Sequence, residues 1–334
     1  MRDFPKTLVI TGPTASGKTA LAVRLARKFG GEIVSVDSRQ LYRGMDIGSG
    51  KDRAEYGEIA CHMIDVADPM EEFDLFRFVR EAERAVAAVA GRGKLPVLAG
   101  GSTLYLDALL RGYRLSGGAP DPVLRAELDR LSLAELNARL DALAPPGLER
   151  FRGRDNPLRV RRAIEMALRT GALPPEEDKM PPDPAQCLIL GVYRSRTEIR
   201  DRIEKRLDAR LAAGMIGEVR ALHDRGVTWE RLERFGLEYR FVAAYLQGAL
   251  TFDAMRSGLL DRIRQFAKRQ DIWFRKMERE GVPIHWLQGG DPTEAERLTG
   301  LFLAGGTVPP PELKMMEIHY GPIAGKIPET RRKP

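Results

Sequence analysis

Gly12-Pro13-Thr14-Ala15-Ser16-Gly17-Lys18-Thr19 follows the apolar run Thr7-Leu8-Val9-Ile10 and precedes the helix-forming stretch Ala20-Leu21-Ala22-Val23. A strand, a glycine-bounded loop and a helix, with Gly12 and Gly17-Lys18-Thr19 at this spacing, make a P-loop. Its glycines let backbone N–H groups turn inward on an anionic oxygen, and the following helix presents its positive end to the same point. Lys18 adds a point charge. The Thr19 hydroxyl stands where it can ligate a magnesium ion riding on phosphates. The loop alone leaves open which phosphate compound it holds.

Outward from the loop, the runs Glu32–Val36, His62–Val66, Pro96–Ala99 and Cys187–Val192 are nearly continuous in Val, Ile and Leu, as strands buried on both faces are. Helical segments such as Phe78–Gly91 separate them. The alternation predicts an α/β fold with a P-loop NTPase-like parallel sheet core, whose first part spans residues 1–112. From Tyr113 to Gln186 the strand signal stops. Leu124, Leu128 and Leu131, then Leu136, Leu140 and Leu143, recur at helical spacing until Pro145-Pro146-Gly147 breaks the pattern. Residues 113–186 therefore read as a helical insertion domain.

The core resumes over 187–304 with long C-terminal helices. In the first, Ile199, Ile203, Leu207 and Leu211 share a face opposite Arg200, Arg206 and Arg210; the second runs through Tyr239–Leu246. The third runs from Leu259 to about Arg279, with Leu259, Ile263, Phe266, Trp273 and Met277 as its apolar side. Pro283–Leu287 reads as a last strand and Thr293–Leu303 as a last helix. Gly305-Gly306 and Pro309-Pro310-Pro311 open a tail, 305–334, expected to be mobile.

A chain of 334 residues that is 43% hydrophobic can bury a full core. No apolar run reaches the roughly 18 residues of a membrane span and no signal-like core follows Met1, so a soluble, cytoplasmic protein without a membrane partner is expected. Cys61 and Cys187 are too few for a disulfide framework, and His62, His223, His285 and His319 lack metal-ligand spacing. The net charge of +7 is carried entirely between Phe151 and Glu280. Beside a phosphate-binding loop in the other half, that bias points to a polyanionic partner such as nucleic acid.

The second strand runs into Asp37-Ser38-Arg39-Gln40-Leu41-Tyr42-Arg43-Gly44-Met45-Asp46-Ile47-Gly48. Ligands of open α/β sheets sit beyond the carboxyl ends of the strands, which brings Asp37 near the P-loop. A carboxylate there can hold magnesium through water, take a proton from an attacking group, or cap the next turn.

These motifs, followed by Gly100-Gly101-Ser102-Thr103-Leu104-Tyr105 and by Ala267-Lys268-Arg269-Gln270 with Trp273-Phe274-Arg275, resemble the tRNA dimethylallyltransferases, also called tRNA isopentenyltransferases, over about residues 7–288. The resemblance implies transfer of a five-carbon group from dimethylallyl diphosphate to N6 of the adenosine 3′ of the anticodon. The partner is then a tRNA anticodon stem-loop, with Gly12–Thr19 as a diphosphate cradle and Mg2+ on Thr19. It implies that Asp37 is the general base; removing the proton helps because the exocyclic amine is a poor nucleophile. It places Arg220, in Gly214-Met215-Ile216-Gly217-Glu218-Val219-Arg220, on the diphosphate, and Ser102, where threonine is usual, on the adenine or its backbone. It also assigns tRNA contact to Asp37, Ser38, Arg39, Gln40 and Ser102, to Arg125, Arg159, Arg161 and Arg162 in the insertion, and to Lys268, Arg269 and Arg275.

Basic residues on helices position a phosphate backbone, and aromatics such as Trp273 and Phe274 can stack on unpaired bases. Extracting the adenine from the loop stack costs a few kcal/mol. The chain departs from the family at Phe235-Gly236-Leu237-Glu238-Tyr239-Arg240, at Gly48-Ser49-Gly50-Lys51-Asp52 and at Asp271-Ile272. A P-loop kinase of a small metabolite also needs Gly12–Thr19 and an acid near Asp37, but leaves the basic insertion and late helix unexplained. A non-catalytic RNA-binding protein with a nucleotide-sensing P-loop is the reading from another class. A monomer is expected.

Overall fold

Strand β1 (Thr7–Thr11) is buried along its whole length and pairs in parallel with β4 (Leu95–Ala99) on one side and β5 (Cys187–Tyr193) on the other. Being covered on both faces and both edges explains why its sequence is apolar without alternation. β2 (Gly31–Ser35), β3 (Cys61–His62) and β6 (His285–Gln288) complete a six-stranded, all-parallel sheet in the order β3-β2-β4-β1-β5-β6. The computed structural model describes residues 5–112, 121–173 and 180–318. The expectations for 113–120, 174–179 and 319–334 lie outside the described residues.

The register fixes the site. Ile10 and Ser35 both align with Ala99. Two residues further, Gly12, Asp37 and Gly101 therefore leave the sheet at one level, on adjacent strands and at the carboxyl edge. Helix α1 (Lys18–Phe29) starts at Gly17, whose φ of 98° only glycine adopts freely, and ends at Gly30 in the left-handed region with its N–H bonded to the Ala26 carbonyl.

The chain divides into two compact units. One contains Met1–Phe73, Val79–Leu110 and Pro181–Pro334. Besides the sheet and α1 it holds α3 (Thr103–Leu110), α7 (Arg196–Ala212), α8 (Met215–Asp224), α9 (Trp229–Arg234), α10 (Leu237–Leu246), α11 (Phe252–Arg279) and α12 (Pro292–Leu303). The other unit contains Asp74–Phe78 and Arg111–Met180. Within it α4 (Pro122–Leu128), α5 (Leu133–Leu143) and α6 (Pro157–Thr170) close around Leu128, Leu136, Leu140, Val160 and Ile164. Asp121, Ser132 and Asn156 cap the three helices. The remaining helix, α2 (Leu75–Gly91), runs from one unit's residues into the other's.

Three expectations change. The third strand is only Cys61–His62, because Met63 and Asp65 take positive φ and turn the chain out of the ladder. On α11 the buried side contains Gln270 and Phe274, and Phe274 packs edge-on against Trp286. Phe274 is thus core and not a surface for bases. The first part of the tail is anchored: Met315 is fully buried, and its N–H donates to both oxygens of Glu278, at 3.0 and 2.9 Å.

Candidate active site

The P-loop is braced from outside by arginines and from inside by one glutamine. Arg194 Nε donates to the Ser16 carbonyl at 2.8 Å, and Arg202 Nε, from α7, donates to the Ala15 carbonyl at 2.7 Å. Ala15 needs that support, since its φ of 62° is unfavourable for any residue with a Cβ. Gln270 accepts from the Thr14 N–H at 2.8 Å and donates to the Gly101 carbonyl at 2.6 Å, joining the loop after β1 to the turn after β4.

Gly100-Gly101 is more than a strand-end turn. A Cβ on Gly100 would lie 2.1 Å from the Val36 carbonyl oxygen, and one on Gly101 would press on Gln270 Nε2 at 2.8 Å and on Lys18 Nζ at 3.2 Å. Only glycine allows these three strand ends to meet. Ser102 follows, and its Oγ accepts from the Ser38 N–H at 3.0 Å. The serine thus holds the turn that carries Asp37, whose Oδ1 accepts from the Arg39 N–H at 2.9 Å.

The resulting cavity, about 350 Å3, is lined by Thr14, Lys18 and Thr19 of the P-loop and by Asp37, Ser38, Arg39, Gln40 and Ser102. Tyr56, Leu104, Tyr105, Phe235, Leu237 and Phe266 give it an apolar wall. Burial pushes the Lys18 ammonium down to about 8; Arg206 adds to the effect and Asp37 opposes it.

Arg206 and Arg210 of α7 also line this cavity. They were expected on the outward face of their helix. Arg210 is nearly buried, donates to Glu238 at 3.2 Å and to the Gly48 carbonyl at 3.3 Å, and is pushed down to about 10 by burial. Arg39 binds the other oxygen of Glu238. Burial alone would lower Arg39, but the Glu238 and Asp37 carboxylates hold it well above its usual value. Arg206 pairs with Asp52 at 3.0 Å and lines a second, wider opening on the outer side of Lys18 and Thr19.

Arg220 stands elsewhere: it is exposed on α8 and lines none of these cavities. Its neighbour Glu218 has a structural task, accepting from the N–H groups of Asp46, Ile47 and Gly48 and from the Tyr239 hydroxyl. In the insertion, Arg125 and Arg162 are both held on the buried Glu165 and Arg161 on Asp129, while Arg159 is exposed. On α11, Lys268 and Arg269 are exposed and Arg275 is half-buried. Sequence reasoning missed Gln270 as a brace, and it missed Arg206, Arg210 and Glu238 at the cavity. The one available signal was periodicity: Gln270 lies three and seven positions after Ala267 and Ile263, on the same helical face.

The sequence profile described as IPP transferase matches residues 40–277, and that described as isopentenyl transferase matches residues 5–59. The chain belongs to the IPP transferase family. A tRNA dimethylallyltransferase 2 of Trichlorobacter lovleyi is 49% identical over 299 residues, covering 88% of this chain and 97% of the relative. A second from Pelobacter propionicus is 50% identical over 283 residues, covering 85% and 90%. Among solved structures, the tRNA isopentenylpyrophosphate transferase of Bacillus halodurans superposes with a TM-score of 0.65 at 30% identity, covering 90% of this chain and 98% of its own. A eukaryotic dimethylallyltransferase acting on tRNA has the same fold, with a TM-score of 0.76 at 23% identity. Membership of the IPP transferases disfavours the small-metabolite kinase. Among the described residues, no helix is long and apolar enough to cross a membrane.

Proposed function

We propose that this IPP transferase moves the dimethylallyl group of dimethylallyl diphosphate to N6 of the adenosine 3′ of the anticodon in tRNA, releasing diphosphate. The observation that carries the reading is one cavity that brings together an anion cradle, a carboxylate and aromatic side chains. The diphosphate lies on the P-loop amides and Lys18, with Arg206 as the guanidinium that grips it in place of Arg220. The five-carbon chain lies against Tyr56 and Phe266, whose ring faces also favour the positive charge that develops on the allylic carbon. The N6 lone pair forms the new C–N bond as the C–O bond to diphosphate breaks, and the N6 proton passes to Asp37. Lys18 and the loop amides meet the charge that appears on the leaving oxygen, which is the larger electrostatic contribution.

Magnesium fits this site. Among the described residues no group of three or more His, Cys, Asp or Glu could hold a metal unaided. The Thr19 hydroxyl on the cavity wall would hold the ion together with oxygens of the diphosphate and of water, the ligand type magnesium prefers. When bound it neutralises charge on the diphosphate.

Ser38, Arg39, Gln40 and Ser102 meet the target base; Arg159, Lys268, Arg269 and Arg275 meet phosphates, joined by Arg125, Arg161 and Arg162 where RNA displaces or shares their carboxylate partners. The protein acts in the cytoplasm as a monomer. The test is to incubate it with transcribed tRNA, magnesium and dimethylallyl diphosphate and to map the product by mass spectrometry. A C5H8 increment on the adenosine after the anticodon is expected. An unmodified tRNA, or an increment elsewhere, rejects the reading.

A further inference from the structure

A third cavity, about 690 Å3, lies between α7 and α11 and reaches Pro13 of the P-loop. Its size falls in the roughly 300–1,000 Å3 range of ligand pockets. Arg196 and Arg200 stand on the α7 side, and Arg264, Lys268 and Arg275 on the α11 side. Arg264 is already paired with Glu204 at 2.9 Å. Ile199, Ile203, Ala267 and the exposed Ile272 give the walls an apolar strip.

Among these cations sits Asp271. Its side chain lines the cavity; the inner oxygen, Oδ1, has no hydrogen-bond donor in the free protein, and an arriving donor must meet the carboxylate from the cavity side. Burial pushes this carboxyl up to about 7 despite the charges of Arg275 and Arg196. An arginine-rich cavity that leaves a carboxylate oxygen unsatisfied is built for a ligand with two properties: an anion for the cations and an N–H donor for the carboxylate. A phosphodiester without its base lacks the donor, and an acidic peptide side chain is repelled by the aspartate.

We propose that this cavity is a subsite for one unpaired, amino-bearing nucleotide of the substrate RNA, with its phosphate on Lys268, Arg200 and Arg275 and its base N–H groups on Asp271. The proposal rests on the reading of the chain as a tRNA-modifying enzyme and adds a residue that selects a base. The apolar strip takes one face of the base. Adenine, cytosine and guanine offer an exocyclic amine to the carboxylate. Uracil offers a single N–H flanked by two carbonyl oxygens, which the carboxylate repels.

The experiment titrates the full chain at about pH 8, where Asp271 is ionised, with fluorescent anticodon stem-loops in which each unpaired base in turn is replaced by uracil. Wild type, Asp271→Ala and Asp271→Asn are compared by anisotropy, with melting curves to verify folding. One position is expected at which uracil weakens wild-type binding about five- to tenfold. That penalty falls below about twofold in Asp271→Ala, and also in Asp271→Asn, whose amide offers uracil both a donor and an acceptor. Uracil penalties identical in the three proteins at every position overturn the subsite. Dimethylallyl transfer is measured on the same RNAs. Transfer to none of them rejects the functional reading, whereas normal transfer with a base profile indifferent to residue 271 rejects the subsite alone.

Discussion

The cavity at the carboxyl edge of the sheet and the cavity between α7 and α11 are both rich in arginine, yet one acidic residue in each, Glu238 and Asp271, is treated in the opposite way. Glu238, 3% exposed, has a guanidinium on each oxygen, from Arg39 and from Arg210. Asp271 has an oxygen that nothing satisfies. A buried carboxylate with two charged partners acts as a strut, because removing any member strands the others. One left without donors keeps its binding capacity for something that arrives later. The difference separates a wall built to stay still around a reaction from a groove built to be completed by a partner.

The comparison can be broken by substitution. Asp37→Ala belongs to the reacting end of the first cavity, and it should lower the single-turnover rate by about 10²- to 10⁴-fold while stem-loop affinity holds. A loss of affinity with an unchanged rate would place the chemistry elsewhere. Glu238→Ala leaves Arg39 and Arg210 buried without their shared anion, so denaturant unfolding should show a loss of about 3–5 kcal/mol. A loss below about 1 kcal/mol would mean that the strut carries no strain. Gln270→Ala frees the Thr14 N–H and the Gly101 carbonyl, and a loss of about 1–3 kcal/mol is expected together with weaker binding of inorganic diphosphate. Unchanged diphosphate affinity would separate the brace from the cradle.

The smallest effect has the opposite sign. The Asp271 carboxyl titrates near 7 in the folded chain, above its unfolded value, so the folded state holds a proton that the unfolded state has released. Stability contributed by that proton is complete below about pH 4 and disappears as pH rises through about 7. Asp271→Asn should therefore stabilise the free protein at pH 8 by about 1 kcal/mol, a modest share because the side chain is partly wet, and the gain should vanish toward pH 4. A variant less stable than wild type at pH 8 would show that the arginines already satisfy the aspartate.

Local pattern made the sheet legible. The P-loop spacing, the apolar runs and the position of Asp37 after β2 follow from nearest-neighbour chemistry and one topological rule, and the register of β1, β2 and β4 agrees with them. The helices around the site were less legible in their facing. Arg206 and Arg210 lie on the side of α7 that a hydrophobic count assigns to water, because the neighbouring surface is an anion site and not solvent. Phe274 and Gln270 share the buried stripe of α11, where the pattern of large apolar residues had pointed to Phe266 and Trp273. Glu238 acquires meaning only from Arg39 and Arg210, distant in sequence, and no periodicity encodes such a partnership.

The glutamine brace has a consequence for the order in which the molecule comes to life. Thr14 and Gly101 leave the ribosome well before the side chain that ties them together, which belongs to α11 and follows Gly101 by 169 residues. β1 likewise waits for β5, which emerges only after the second unit. A nascent chain that has not yet reached α11 therefore displays every residue of the phosphate motif with one loop amide unanchored, and competence waits for that helix.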